Sequence, residues 1–349
     1  MSRFLSRKTQ SEPASGAATP ETADLEQPYD PTPNAEVLFA GHLGHLTESQ
    51  EEALKAFKEK LSEAMLYTPA LEDGSADASL SDVTLLRFLR ARGWQPDAAL
   101  AQFESAGNWR KKYDVDNLFA TGFTVEEFED SKRFYPRWTG RRDKNGMPLY
   151  VYKISALEPL QKELDAIPAE RRYQRIIALY EQMCLFSFNL CTYLPHPSSP
   201  TPISSTSNII DMGDAGFSMM FRLRNHFQEA SKLATANYPE TLSSIIVVNS
   251  PSFFPTIWSW IKGWFDEGTR NKIHILGKDP ESLTTLQKLI HPKDLPKMYG
   301  GELEWTFDDE PNLDDDAKAA LPGGEMPKGP AIFDAKTGAV RKPSAPFAP

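Results

Sequence analysis

The sequence predicts an α/β protein in which a small all-helical lobe precedes a lobe built on a mixed, mostly parallel sheet. Residues 42–114 contain only helical patterns, whereas residues 148–290 alternate short apolar runs with longer amphipathic ones. Strands that are apolar throughout are typical of a parallel or mixed sheet with helices packed on it. The chain has 349 residues, 40% of them hydrophobic, so it has enough apolar material for a core of this kind.

Three helices are predicted in the first lobe. The first begins at a capping box of Thr47 and Gln50, and large apolar residues then recur at helical spacing, at Leu54, Phe57 and Leu61. The second, "SLSDVTLLRFLRARGW", ends where Gly93 supplies a C-cap. The third, "QPDAALAQFESAGNWRKKYD", has Pro96 in its first turn, where proline is tolerated.

The second lobe alternates predicted strands and helices. Its strands are "PLYVYKI", "NIIDM", "SSIIVVN" and "KIHIL", which occupy residues 148–154, 208–212, 243–249 and 272–276. Its helices cover residues 169–190, 217–239 and 279–290. Apolar runs of four to eight residues between helical patterns indicate buried strands.

Composition divides the chain into four parts. Residues 1–40 are rich in Ser, Thr, Pro, Ala and Glu and are predicted to be a disordered tail. The helical lobe is placed at 41–118 and the α/β lobe at 119–303. Residues 304–349 are acidic and then Pro/Gly-rich, and they are predicted to form an extended tail that lies back on the domain.

Several classes of function are excluded. A net charge of −10 argues against nucleic acid as a partner. No run of 18 apolar residues exists and the first residues lack the apolar core of a signal peptide, so a cytoplasmic protein is expected. Cys184 and Cys191 are too far apart on one helix for a disulfide, which fits reduced thiols.

The motifs of common enzymes are absent, and we expect a binding protein rather than an enzyme. The sequence lacks G-x-S-x-G, a P-loop, H-E-x-x-H and the dinucleotide-binding glycine pattern. His42 and His45 lack ligand-spaced partners, so a turn is the better interpretation and no metal site or cofactor is predicted. The apolar surroundings of Cys184 favour a core residue over a nucleophile.

The most unusual segment is "FFPTIWSWIKGWF" at residues 253–265. On a helical wheel its large apolar residues share one broad arc, namely Phe253, Phe254, Ile257, Trp258, Trp260, Ile261, Trp264 and Phe265. Two interpretations stay open. The face is either part of the core, or it covers an apolar cavity and meets a membrane surface, where tryptophan is favoured.

Two basic clusters also allow two interpretations. Arg87, Arg90 and Arg92 lie near the end of the second helix, where cations complement the helix dipole. Arginine forks also bind oxyanions well. Thr269, Arg270 and Lys272 form a second cluster directly after the aromatic segment.

Ten segments together resemble a known family. "GHLGHLTESQEEAL", "TLLRFLRARGWQPDAAL", "NWRKKY", "FYPRW", "DKNGMPLYVYK", "IIDMGD", "ANYPETL", "VVNSPSFF", "KIHILG" and "LPKMYGG" occur in this order. The set is similar to the fungal phosphatidylinositol/phosphatidylcholine transfer proteins of the CRAL-TRIO superfamily and spans about residues 41–330. The resemblance implies a sheet that floors a large apolar pocket, with a mobile helix, here residues 253–265, as its gate.

The resemblance also implies an activity. A monomer would take up one phospholipid, phosphatidylinositol with phosphatidylcholine as a second ligand, move it between membranes and present it to lipid kinases. It would meet Golgi or endosomal membranes transiently. Because residues 302–316 hold eight acids and no base, apolar insertion is favoured over a polybasic patch. The alternative is a sensor or scaffold that binds a sterol or another lipid without transferring it.

The family's headgroup residues map onto this chain only in part. For the inositol phosphate, Arg92, Thr269 and Lys272 match, Arg90 is a nearby candidate and Glu240 is the acidic partner. Gly93 stands where the family has a lysine, and Thr241 where it has an arginine.

The choline-lipid residues also match in part. Tyr150 and Tyr180 match two of the family's tyrosines, with plain packing as the alternative role. Thr206 replaces a serine and Asn208 replaces a threonine. A tyrosine at position 208 would suggest haem, which Asn208 does not support.

Overall fold

The computed structural model describes residues 35–71, 75–265, 267–277 and 280–344. The N-terminal part is helical, as predicted. Its helices are α1 (Ala35–Leu38), α2 (Glu48–Glu63), α3 (Asp82–Ala91), α4 (Pro96–Tyr113), α5 (Val115–Thr121) and α6 (Val125–Ser131). Thr47 and Gln50 form the predicted capping box, and Gly93 follows α3 with a φ of +56°, so both predicted ends are confirmed.

Five strands form one sheet in chain order. They are β1 (Arg137–Arg142), β2 (Pro148–Lys153), β3 (Thr206–Asp211), β4 (Leu242–Val248) and β5 (Ile273–Ile275). β1 and β2 are antiparallel, and the remaining neighbours are parallel. The mixed, mostly parallel sheet is therefore confirmed, whereas β1 was not predicted from the sequence.

The later helices cover this sheet. They are α7 (Gln161–Ala166), α8 (Ala169–Gln182), α9 (Phe188–Tyr193), α10 (Phe217–Asn237), α11 (Phe254–Ile261), α12 (Glu267–Arg270), α13 (Pro280–Leu289) and α14 (Asp315–Ala320). The single helix predicted over 169–190 is α8 and α9 joined by a π-helical turn, Met183–Ser187. The first residue of the helix predicted at 279–290 lies outside the described residues.

Both predicted tails contribute to the folded part. Residues 1–34 lie outside the described residues, but α1 begins before the predicted boundary at 41 and Phe39 is buried. At the other end, Trp305, Phe307 and Phe333 are buried. The C-terminal extension thus lies back on the domain, and it ends in a short hairpin of β6 (Ile332–Phe333) and β7 (Val340–Arg341).

The helical lobe packs directly on the sheet-bearing lobe. The Gln102 side chain on α4 donates to the carbonyls of Thr235 and Ala236 on α10, both at 3.1 Å. Nearby, the rings of Trp109 and Tyr238 meet edge to face at 5.8 Å. At the end of α3, Arg90 lies 3.9 Å from Glu240, in the loop that leads into β4.

Candidate functional site

A transverse row of side chains on one face of the sheet forms the floor of a large cavity. Strand pairing aligns Trp138, Tyr150, Asn208, Ile245 and Ile273 across all five strands, and all five line the cavity. Side chains two residues apart share a face of a strand. The next row therefore points the same way, with Tyr152, Ile210 and Val247 also lining the cavity.

Helices α8, α10 and α11 supply the other walls. The contributions of α8 and α10 are mostly apolar, among them Ile176, Leu179, Met220, Phe227 and Ala230. The cavity has a volume of about 380 Å³. A space of this size with largely apolar walls is suited to an apolar or amphipathic ligand.

The aromatic segment divides between the cavity and the outer surface. Its cavity-lining members are Phe254, Trp258, Ile261, Trp264 and Phe265. Phe254 and Trp258 stack with ring centroids 6.5 Å apart. Trp258 and Trp264 are thus the two tryptophans of this segment that line the cavity, and Trp264 also contacts a second pocket between α10 and α11.

Phe253, Ile257 and Trp260, which the helical wheel places on the same arc, do not line this cavity. Ile257 is buried. Phe253 and Trp260 instead meet the ring of Phe217 on α10, at centroid distances of 5.6 and 5.4 Å. The helix is only eight residues long and is followed by a 3-10 turn, and α10 offers it a second aromatic partner on its outer side.

Four of the five candidates for an inositol phosphate lie together at one end of the cavity. Arg92, Glu240, Thr269 and Lys272 all line it. The Lys272 amine donates to Glu240 Oε2 at 2.8 Å, and Lys272 N donates to the Thr269 carbonyl at 3.1 Å. We call these four residues the charged end of the cavity.

The fifth candidate, Arg90, lies behind Glu240 and does not line the cavity. Its Nε is 3.9 Å from Glu240 Oε2, and its Nη1 donates to the Gly41 carbonyl at 3.1 Å. Burial lowers the pKa of this guanidinium to about 10, although Glu240 opposes the shift, so Arg90 stays charged at neutral pH. Its position suits holding Glu240 rather than contacting a headgroup.

The four candidates for a choline lipid also line the cavity. The Tyr150 hydroxyl donates to Ser187 Oγ at 3.1 Å, and the Tyr180 ring stacks on Tyr238 at 4.9 Å. Burial raises the pKa of both Tyr150 and Tyr180, so these phenols are neutral. Thr206 and Asn208 are buried on β3 and are bonded to each other.

Tyr238 is a wall residue that sequence reasoning missed. Its hydroxyl donates to Glu181 at 2.5 Å, and Arg110 donates to the same oxygen, Oε1, at 2.8 Å. The buried Glu181 is thereby paired, and the ring of Tyr238 is held against Tyr180. The sequence shows Tyr238 two residues before Glu240 in "ANYPETL". It does not show that Arg110 on α4 shares the carboxylate of Glu181 with this tyrosine.

A patch of exposed aromatic rings is formed by α10 and α11 together. Phe217, Phe221 and Trp260 are 43, 48 and 40% exposed. Phe221 and Trp260 meet at 6.2 Å, and the Arg224 guanidinium lies over the Phe221 ring at 4.3 Å. We call Phe217, Phe221 and Trp260 the outer aromatic patch.

Within the part of the chain that the structure describes, no group of three or more His, Cys, Asp or Glu side chains could hold a metal ion. None of the helices in those residues has the length and apolar character needed to cross a membrane.

Together, an apolar cavity floored by a sheet and charged at one end defines a protein that holds an amphipathic ligand. Comparison with known proteins gives the family. Residues 53–105 match the CRAL/TRIO N-terminal domain and residues 135–301 match the CRAL/TRIO domain. The chain belongs to the CRAL/TRIO family.

Relatives and a solved structure agree with this assignment. The Sec14 cytosolic factor of Schizosaccharomyces pombe is 31% identical over 281 residues, which are 80% of this chain and 91% of that protein. SFH9 of Arabidopsis thaliana, a phosphatidylinositol/phosphatidylcholine transfer protein by name, is 28% identical over 73% of this chain and 41% of its own length. The crystal structure of Sfh5 has a TM-score of 0.56 at 18% identity, covers 77% of this chain and 93% of its own, and supports the fold alone.

Proposed function

We propose that the protein is a carrier that binds one phosphatidylinositol molecule in the cavity and moves it between membranes. The observation that carries this proposal is the cavity itself, whose lining is largely apolar and includes the four residues of the charged end. A phospholipid has the same division, because its acyl chains are apolar and its headgroup is charged. A carrier moves the lipid without changing it chemically and needs no catalytic residue. We therefore do not propose an enzymatic activity.

The apolar walls meet the main energetic requirement of such a carrier. Each CH₂ group that leaves the bilayer must be buried again, at about 0.8 kcal/mol per group. The floor rows and the cavity-lining side chains of the gate segment offer a largely apolar lining for this purpose. Without that lining, two acyl chains would stay in the membrane.

The charged end suits a phosphate diester. Arg92 and Lys272 are cations that line it, and Glu240 is paired with Lys272 and lies near Arg90. Counting Arg90, three cations accompany one carboxylate, so an anionic group would be attracted. We infer that Arg92, Thr269 and Lys272 contact the inositol phosphate, and that Glu240 and Arg90 hold Lys272 in place.

We infer that membrane contact is transient and uses the outer aromatic patch. Tryptophan and phenylalanine partition well into the interfacial region of a bilayer. Arg224 lies beside the patch and could meet lipid phosphates, although the whole chain is acidic. The protein would act in the cytoplasm as a monomer, meet Golgi or endosomal membranes and present phosphatidylinositol to lipid kinases.

Transfer between vesicles tests the proposal. Purified full chain is mixed with donor vesicles that contain labelled phosphatidylinositol and with unlabelled acceptor vesicles, and the movement of label is followed. We expect catalytic amounts of protein to raise the transfer rate at least tenfold over the spontaneous rate. A protein that binds the lipid without accelerating transfer would be a sensor or scaffold, and one that binds no phospholipid would contradict the proposal.

A further inference from the structure

Asn208 and Thr206 present the cavity with a hydrogen-bond pattern that a phosphate cannot use. The Asn208 Nδ2 donates to Thr206 Oγ1 at 2.7 Å and lies 3.3 Å from the carbonyl oxygens of Thr206 and Ser244. Both carbonyls only accept hydrogen bonds, so the amide nitrogen must be the atom that faces them. The orientation of the Asn208 amide is thereby fixed.

The Thr206 hydroxyl is also committed. It has a single proton, which it donates to the Thr241 carbonyl at 3.3 Å, and its oxygen accepts from Asn208 Nδ2. Tyr150, the neighbour of Asn208 across the sheet, likewise donates its proton to Ser187. Neither hydroxyl therefore has a proton left for a ligand while these bonds persist.

The remaining hydrogen-bonding atom of Asn208 is its carbonyl Oδ1, which is an acceptor. Among the described residues, no donor is bonded to it, and Asn208 lines the cavity. A buried acceptor that faces a bound ligand without a donor costs free energy. The cavity is thus completed by a ligand that brings a donor to this point.

Phosphatidylcholine cannot do so. Its phosphate and ester oxygens only accept, and its quaternary ammonium group carries no proton, so the molecule has no hydrogen-bond donor. Its polar part beside Asn208 would place acceptor against acceptor. A lipid whose polar end is a hydroxyl has the required donor, and it can hold this donor in the cavity without burying a charge.

We propose that Asn208 is a specificity-determining residue, and that the second ligand of this cavity is an uncharged lipid with a hydroxyl as its polar end, such as a sterol, rather than phosphatidylcholine. This inference rests on the proposed function in that the cavity holds lipid. Asn208 lies two residues along β3 from Thr206, about 7 Å further along the sheet. A sterol bound there would occupy the space of acyl chains, so it competes with phosphatidylinositol.

The test compares lipids that have a hydroxyl donor with lipids that have none. Purified full chain is incubated with vesicles that contain labelled cholesterol, cholesterol 3-O-methyl ether, phosphatidylcholine or phosphatidylinositol, and the lipid that becomes protein-bound is measured. We expect cholesterol to be captured at least tenfold better than its methyl ether and than phosphatidylcholine. Equal capture of cholesterol and its methyl ether would overturn the inference, because hydroxyl recognition would then be absent.

Two variants locate the effect at position 208. Asn208→Leu removes the acceptor and should lower the ratio of cholesterol capture to methyl-ether capture to within about twofold of one. Asn208→Thr introduces a hydroxyl that can donate, and it should raise phosphatidylcholine capture several-fold. The control Asn117→Leu changes an exposed asparagine on α5 and should alter none of the ratios.

The outcomes separate this inference from the proposed function. Thermal unfolding confirms that each variant is folded before its ratios are compared. Capture of phosphatidylinositol together with phosphatidylcholine, but not cholesterol, would overturn the inference and leave the carrier function intact. Capture of cholesterol alone would support the hydroxyl site and contradict phosphatidylinositol transfer.

Discussion

Replacing Lys272 by alanine tests the charged end of the cavity most sharply. In the structure the Lys272 amine is 2.8 Å from Glu240 Oε2, and Arg90 Nε is 3.9 Å from the same oxygen. Alanine would remove one charge-assisted hydrogen bond to the lipid phosphate, a contact that contributes about 1.5–3 kcal/mol. It would also leave the carboxylate of Glu240 facing that phosphate.

The expected loss can be bounded from the exposure of the pair. About 1.5–3 kcal/mol corresponds to roughly 10- to 150-fold in affinity. The Lys272 side chain is 26% exposed, so solvent screening favours the lower part of this range. We therefore expect phosphatidylinositol transfer by Lys272→Ala to fall about 10- to 30-fold, while cholesterol capture changes less than about threefold.

A double variant separates lost attraction from added repulsion. In Lys272→Ala with Glu240→Gln, the neutral amide no longer repels the phosphate, so a part of the loss, about threefold or more, should be recovered. Lys111→Ala removes an exposed lysine in the last turn of α4 and is the matched control. Equal losses for phosphatidylinositol and cholesterol would refute the assignment, because a damaged cavity rather than a lost headgroup contact would explain them.

Three further predictions concern other parts of the chain. Gly93→Lys adds a cation beside Arg92 at a position where no atom lies within 4 Å of a new Cβ; phosphatidylinositol capture should rise several-fold, while the positive φ costs about 1 kcal/mol of stability in thermal unfolding. Unchanged capture would show that this position does not matter. Phe221→Ser should lower vesicle binding in sedimentation assays about fivefold, whereas Val125→Ser, which changes an equally exposed apolar residue on α6, should not; similar effects of both would argue against the outer aromatic patch. Burial lowers the pKa of His226 from 6.5 to about 4, so the unfolded chain binds more protons between these values and stability should fall as the pH drops from 6.5 towards 4. His226→Phe should make that decline shallower, and an unaltered slope would show that His226 does not contribute to it.

The sheet could be predicted except for its first strand. β1 has the sequence "RWTGRR", with three arginines and one glycine in six residues, so it carries no apolar run. The structure shows why such a strand is stable. Arg137 donates to the Phe307 carbonyl at 2.8 Å and Arg141 donates to the Asn312 carbonyl at 2.6 Å. The C-terminal extension thus supplies hydrogen-bond acceptors to these arginines from more than 160 residues away. The residue pattern of a strand does not reveal such distant acceptors.

The residue types of the candidate site could be predicted from the sequence, but the positions of several side chains could not. The wheel placed eight apolar residues of the gate segment on one face, and it could not show that Phe217 on α10 would draw Phe253 and Trp260 outward. Asn208 and Thr206 were likewise recognised as departures from the family. The direction of their hydrogen bonds depends on the carbonyls of Thr241 and Ser244 on the neighbouring chain segment, which only strand register reveals.

Native mass spectrometry of the purified full chain tests the central claim, that the cavity carries one lipid, most directly. The protein is incubated with vesicles that contain phosphatidylinositol, separated from them and transferred to the gas phase under gentle conditions. We predict that the main species has the mass of one chain plus one phosphatidylinositol, and that this species decreases strongly in Lys272→Ala. A protein that emerges without lipid from vesicles rich in phosphatidylinositol would contradict the account.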